Sequence, residues 1–194
     1  MKQTLSHIAN LSTGIYSKPD ILPDTLYLQG NHFSETGLFD PSVKPQLRLT
    51  NKYKKHLLQQ DDILFAAKGL NNFAVVYNNS IGQAVASSSF IVIRILEKYK
   101  NQVLPAYLAW FINNNKQVEV FHSAKVNSTI PSISIKQLSQ LEINLPDIQT
   151  QKLVGDIQKL RLKEKEIIKG LEFLKDQLTQ EILLKATKRN QYEN

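Results

Sequence analysis

Apolar residues follow two rhythms along this chain, and the change falls at Leu145-Pro146-Asp147. All seven prolines lie at or before Pro146, so the first part is made of short, interrupted elements and the second of one uninterrupted one. Leu5, Ile8 and Leu11 share one helical face and predict a short helix stopping near Gly14. Between residues 17 and 50, Pro19, Pro23, Gly30, Gly37, Pro41 and Pro45 leave room only for short strands, such as Thr25–Gln29 and Gln46–Leu49. Residues 62–67, DILFAA, read as a buried strand ended by a turn at Lys68-Gly69. Phe73–Tyr77 and Ala84–Leu96 read as further strands, and FIVIRI within the latter is the most strand-like run in the chain. Pro105 opens a helix through AYLAWFINNNKQVEVFHS, with Leu108, Phe111 and Ile112 facing the core. Ser132–Leu145 then returns to strand-like alternation, with a helical turn at Ile135–Leu141.

Beyond Pro146, Leu153, Ile157, Leu160, Glu164, Ile167, Leu171, Leu174 and Leu178 alternate four and three residues apart. That is a heptad-like stripe with one polar interruption, set among Lys and Glu that suit a solvated face. Gly155 and Gly170 each cost about 1 kcal/mol relative to alanine inside a helix, which marks them as places where another backbone comes close. The expected fold class is α+β: a globular domain with mixed and antiparallel strands over 1–146, one long helix over 147–188 and a flexible tail over 189–194. A helix on the order of 60 Å long outruns a domain of this size and needs a partner. Leu153, Ile157, Leu160, Ile167, Leu171, Leu174 and Leu178 are the dimerisation candidates.

Charge narrows the partners. The chain carries 24 Lys and Arg against 17 Asp and Glu, a formal net charge of +7, with a pI near 9.5. From Asp147 onward the balance is 10 basic to 8 acidic, so most of the excess lies in the front portion. Such an excess favours polyanionic partners. There are no cysteines, which excludes disulfides, thiolate zinc sites and a cysteine nucleophile, and suits a reducing cytoplasm. The N-terminus lacks the apolar stretch of a signal peptide, and no segment approaches a membrane span.

A catalytic reading finds little to hold it. His7, His32, His56 and His122 are scattered without metal-ligand spacing and read as structural or surface groups. No phosphate-binding glycine loop or nucleophile elbow is present. Asp40-Pro41 lacks the second proline and aromatic of an adenine methyltransferase loop. Asp61-Asp62 could suggest a metal-bound pair, yet adjacent strand residues point to opposite faces, and a solvated turn is the better reading. Candidates for nucleic-acid contact are grouped instead on loops: Lys18; Lys44 and Arg48; Lys52, Lys54 and Lys55; Lys68 with Asn71 and Asn72; and Lys125, Asn127 and Ser128. Lys and Arg there would meet phosphates and Asn would meet base edges. Neither a helix-turn-helix nor a zinc-finger signature accompanies them.

Four fragments in order carry a resemblance: Leu5-Ser-His-Ile through Gly14, DILFAAKG at 62–69, Pro105-Ala-Tyr-Leu-Ala-Trp-Phe, and Ser132–Leu145 running into Pro146-Asp-Ile-Gln-Thr-Gln151. Together they resemble one half of a DNA-specificity subunit of type I restriction-modification systems, that is, one target recognition domain and one spacer helix. The resemblance implies a non-catalytic chain that reads one half of a split double-stranded DNA target. It implies docking to methyltransferase subunits, which carry S-adenosylmethionine, and to restriction subunits where the complex cleaves. It also implies an antiparallel coiled coil between spacer helices, while the chain itself needs no cofactor or metal. Full-length members resemble two tandem copies of this unit, whereas this chain has one, so it is either a half-subunit that forms a homodimer or a fragment. A helix of this length caps the half-site separation at roughly 18 base pairs. The competing reading is a coiled-coil interaction module with no DNA-reading role.

Overall fold

Residues 2–34, 37–69, 71–114, 116 and 132–189 are described by the structure, a computed structural model. The chain divides into two units, Met1–Gly155 and Asp156–Asn194. In the first, strands β1 (Lys2–Thr4), β2 (Ala9–Thr13), β3 (Leu26–Leu28), β4 (Ile63–Ala66), β5 (Ala74–Val76), β6 (Ala84–Ala86), β7 (Phe90–Ile95) and β8 (Glu142–Asn144) make three sheets among the described residues. The central one is antiparallel, in the order β2-β7-β4-β5. β1 pairs β8 antiparallel, and β3 pairs β6 in parallel. The short helices are α1 (Leu5–Ile8), α2 (Asn51–Lys54), α3 (Pro105–Asn113) and α4 (Ile135–Ser139). This is a mixed α+β domain followed by a long helix, α5 (Ile148–Arg189).

The unbroken apolar runs are explained by burial on both faces of the central sheet. Successive strand residues point to opposite sides. Ile63 and Phe65 of β4, with Ile91, Ile93 and Ile95 of β7, enter a core shared with α1, α3, α4 and β8. Leu64, Ala66, Phe90 and Val92 enter a second core with β3 and β6, where Phe33, Phe73 and Phe90 meet at tilted and edge-on angles. Pro105 is in the first turn of α3, and Leu108 and Ile112 are fully buried.

Two sequence expectations need correction. The N-terminal helix is a single turn, Leu5–Ile8, and Leu11 lies on β2, where register with β7 opposes it to Ile93. Ladder pairing along five residues outcompetes a second helical turn. Gly14 then marks a close approach rather than a helix end: any Cβ there would collide with the carbonyl oxygens of Ala86 and Ser87. The run Ala84–Leu96 is broken at Ser87–Ser89, which turns the chain from β6 in one sheet to β7 in another. Of the expected Pro105 helix, the part beyond residue 116 lies outside the described residues.

The joint at Leu145-Pro146-Asp147 is built from side-chain amides and carboxylates. Asp147 caps α5, its carboxylate accepting from the Thr150 amide at 2.9 Å and the Thr150 hydroxyl at 2.8 Å. Those bonds hold the Asp147 carboxyl below its ordinary range. Gln151 is fully buried. Its Oε1 accepts from the Leu104 amide (2.9 Å), and its Nε2 donates to the carbonyls of Gln102 (2.8 Å) and Pro146 (2.9 Å). One turn on, a Cβ at Gly155 would sit 3.3 Å from that of Ala106, so this glycine meets a small side chain of α3 rather than the other backbone expected there. Gly170 has open space around it.

In the second unit the stripe residues Ile157, Leu160, Ile167, Leu171, Leu174 and Leu178 are all exposed, as is Leu153 at the end of the first. Ile168, Phe173, Ile182, Leu183 and Leu184 are exposed as well.

Candidate nucleic-acid interface

The first basic group is assembled by a small aromatic cluster. Tyr27, Leu47, Tyr53 and Val85 pack together, with Ile15, Leu49 and Leu57 against them. The Tyr27 hydroxyl donates to the Ile15 carbonyl (2.9 Å) and accepts from the Ser17 amide, and the Ser17 and Tyr53 hydroxyls lie 2.7 Å apart. Burial pushes the Tyr27 phenol up from its usual range. The Arg48 amide donates to Asp20 Oδ2 (2.8 Å), and Asp24 accepts from the Thr25 hydroxyl and the Leu49 amide. Segments 15–20 and 46–49 and helix α2 are thereby tied together. Lys18, Arg48, Lys52, Lys54 and Lys55 are all exposed on them, with the Lys52 ammonium 5.3 Å from the Tyr53 ring centre. Lys55 also lines a small cleft of about 130 Å³ with Asn10, Ser12, His56 and Arg94.

A second group surrounds a cleft of about 280 Å³ lined by Asn31, Phe33, Lys68, Asn71, Phe73 and Ser89, among others. Lys68 follows β4 after one residue, Ala67, and Gly69, at φ 101°, makes the turn that a side chain would resist. Asn71 is exposed, but Asn72 is half-buried and donates to the Ala66 carbonyl at 2.7 Å, which fits a turn-holding role better than contact with a ligand. Asn31 and Ser89 were not singled out from sequence. Asn31 lies in a one-turn 3-10 helix and Ser89 in a turn, and only the folding of β6, β7 and the 30–34 segment around β4 brings them to Lys68.

Lys125, Asn127 and Ser128 lie outside the described residues. The chain on either side of them is fixed at the same hairpin: Asn113 pairs its side-chain amide with both backbone groups of Ala74 (2.7 and 2.9 Å), and Ser132 bridges Lys68.

Asp62 has a structural role. It is 1% exposed, and the Arg94 guanidinium grips both its oxygens at 2.7 Å while the Gln59 amide donates to Oδ2 at 2.8 Å. The solvated-turn reading therefore holds for Asp61 alone, which is exposed at φ 71°. The ion pair and hydrogen bonds raise the Arg94 pKa. Asp62→Ala should lower stability by about 2–3 kcal/mol in urea denaturation, less than a fully buried pair because the Arg94 side chain is 39% exposed. His32 is buried, accepts the Gln29 amide at Nδ1, and burial pushes its imidazole pKa down. Among the described residues no three His, Asp or Glu side chains are placed to hold a metal ion, and no helix is long and apolar enough to cross a membrane.

Comparison with known proteins names the architecture. Residues 27–184 match the sequence model of the type I restriction modification DNA specificity domain, and the chain belongs to that family. A type I restriction enzyme HindI specificity subunit of Haemophilus influenzae is 30% identical over 106 residues, 53% of this chain and 22% of that protein. Among solved structures, the S subunit of a type I system from M. genitalium shares 15% identity at a TM-score of 0.55, over 81% of this chain and 37% of that one. The HsdS subunit of Thermoanaerobacter tengcongensis shares 12% at 0.56, over 84% and 37%. A chain from a study of type I R-M complex assembly shares 12% at 0.59, over 87% and 39%. These structures share its fold. The chain spans about a fifth of the curated relative and under two-fifths of each solved chain it matches.

Proposed function

We propose that this chain is a non-catalytic specificity subunit that reads one half-site of a bipartite double-stranded DNA target and docks methyltransferase subunits. The observation that carries this reading is one family match running from β3 through most of α5. Residues 1–146 do the reading and 147–188 form the spacer. The exposed groups on loops 15–20, 46–49 and 51–55, and the cleft at Lys68 and Asn71, contact DNA together with Lys125, Asn127 and Ser128. Adenine chemistry belongs to the partner subunit, which binds S-adenosylmethionine. The spacer helices of two copies pair antiparallel, so the assembly works in the cytoplasm as a homodimer presenting two identical readers. Restriction subunits join where the complex cleaves.

The test is to express the chain with its neighbouring methyltransferase subunit and sequence the methylated sites. A split motif with two inverted copies of one half-site is expected. A chain that folds and dimerises yet directs no methylation with any cognate partner would favour the competing reading, a coiled-coil interaction module without DNA recognition, which the exposed stripe on α5 also supports.

A further inference from the structure

One loop of the first unit carries apolar side chains that the fold leaves uncovered. Among the described residues before α5, Tyr16, Ile21 and Leu22 are the large apolar side chains left exposed, Ile21 at 96% and Leu22 at 70%. The loop that holds this pair is stiff. Pro19 and Pro23 fix the backbone on either side of it. The Asp20 and Asp24 amides donate to the Gln46 and Leu47 carbonyls at 2.9 and 2.8 Å. The Asp20 and Asp24 carboxylates in turn accept the Arg48 and Leu49 amides at 2.8 and 2.7 Å. These bonds to segment 46–49 clamp both feet of a short tip, residues 21–23. The neighbouring cluster of Tyr27, Leu47, Tyr53 and Val85 is packed by Ile15, Leu49 and Leu57, and takes neither side chain of the pair.

The charges around the tip select its partner. Lys18 precedes it on the same loop, and Arg48 lies on the segment that clamps it. With Lys52, Lys54 and Lys55 on and after α2 they make five exposed cations on elements tied together, against Asp20 and Asp24, each of which spends a carboxylate oxygen on a backbone amide. An apolar tip in a basic setting suits a polyanion that also offers apolar surface, and bases in a DNA groove do so through thymine methyls and ring edges. Resting on the DNA-reading role proposed above, we propose that Ile21 and Leu22 enter a groove of the duplex and pack against bases of the half-site, while Lys18 and Arg48 hold adjacent phosphates. A tip already ordered in the free protein gives up little conformational freedom on insertion. Because its contact releases no counterions, it adds to affinity without adding to salt dependence. Neither residue was among the contact candidates drawn from the sequence, which were chosen for their charges, amides and hydroxyls.

The test compares the full chain with a double variant, Ile21→Ser with Leu22→Ser, each assembled with the methyltransferase subunit. The probe is a duplex carrying the split motif found by methylation mapping. The variant should unfold at the wild-type temperature and assemble as the wild type does on size exclusion. Its affinity for the duplex should fall at least ten-fold, while the slope of log affinity against log salt stays unchanged. Lys18→Gln should instead lower that slope by about 0.9 for each reader bound. The chain has no cysteines of its own. Ile21→Cys should therefore form a disulfide with a thiol tethered to a base of the half-site, and none with a thiol tethered to a base of the spacer. A smaller loss of affinity, a slope that falls with it, or a cross-link missing from the half-site or present in the spacer would overturn the proposal. Failure of the double variant to assemble would overturn it too, and would make the tip a docking surface for the methyltransferase subunit. A wild-type complex that methylates no split motif removes the DNA reading and the role of the tip together. A wild-type complex that does, beside a double variant that binds the motif equally well, removes the tip alone.

Discussion

Aspartate at Ile167, Leu171 and Leu174 together should abolish target methylation while leaving the folded unit intact. The three side chains are 64%, 51% and 59% exposed in the single chain, so charging them disturbs nothing in its own core. In the paired state the same change removes apolar burial at six places and puts six carboxylates in the seam. Each lost aliphatic contact is worth about 1.5–3 kcal/mol, so the dimer should weaken by at least roughly 1,000-fold. Sedimentation should show a monomer, and thermal unfolding of the first unit should be unchanged. A triple variant that still methylates a symmetric site would break the link between the stripe and function.

Gln151→Ala should destabilise the first unit by about 3 kcal/mol, an effect expected when a buried donor and acceptors lose their partners. The change leaves the Leu104 amide and the Gln102 and Pro146 carbonyls without the side chain that satisfies them. Gln151→Met separates shape from hydrogen bonding, since it fills similar volume with no polar atom on offer. Chemical denaturation of both variants should give similar losses. If methionine restores stability, packing rather than the amide network holds the joint.

The architecture was legible where local physics and tertiary context agree. DILFAA and FIVIRI announce buried strands because both faces of the central sheet are covered, and Pro105 announces a helix because proline suits its first turn. Leu5, Ile8 and Leu11 misled because the spacing of one helical turn is also compatible with a turn followed by a strand. Only the pairing of β2 with β7, set by residues about eighty positions away, decides between them. The candidate contact residues divide in the same way. Lys18, Arg48 and Lys52 were visible as charges on loops, but their common surface depends on hydroxyls of Ser17, Tyr27 and Tyr53 that no local pattern marks. Asp62 looked like a turn residue because its partner, Arg94, is remote in sequence. Gln151 was visible only as part of a Gln-Thr-Gln run, since nothing local says which glutamine will be buried.

The bonds of that buried glutamine differ from the proposed DNA contacts in their response to ionic strength. Phosphate contacts made by lysine and arginine weaken steeply as salt rises, because the counterions that binding releases gain less entropy in a saltier solution. An amide bears no net charge and sheds no ions, and the groups it joins are backbone. The phosphate contacts proposed for the first unit and the amide network at Gln151 therefore answer to different solvents. Salt should weaken the proposed DNA contacts while the amide network around Gln151 within the first unit persists.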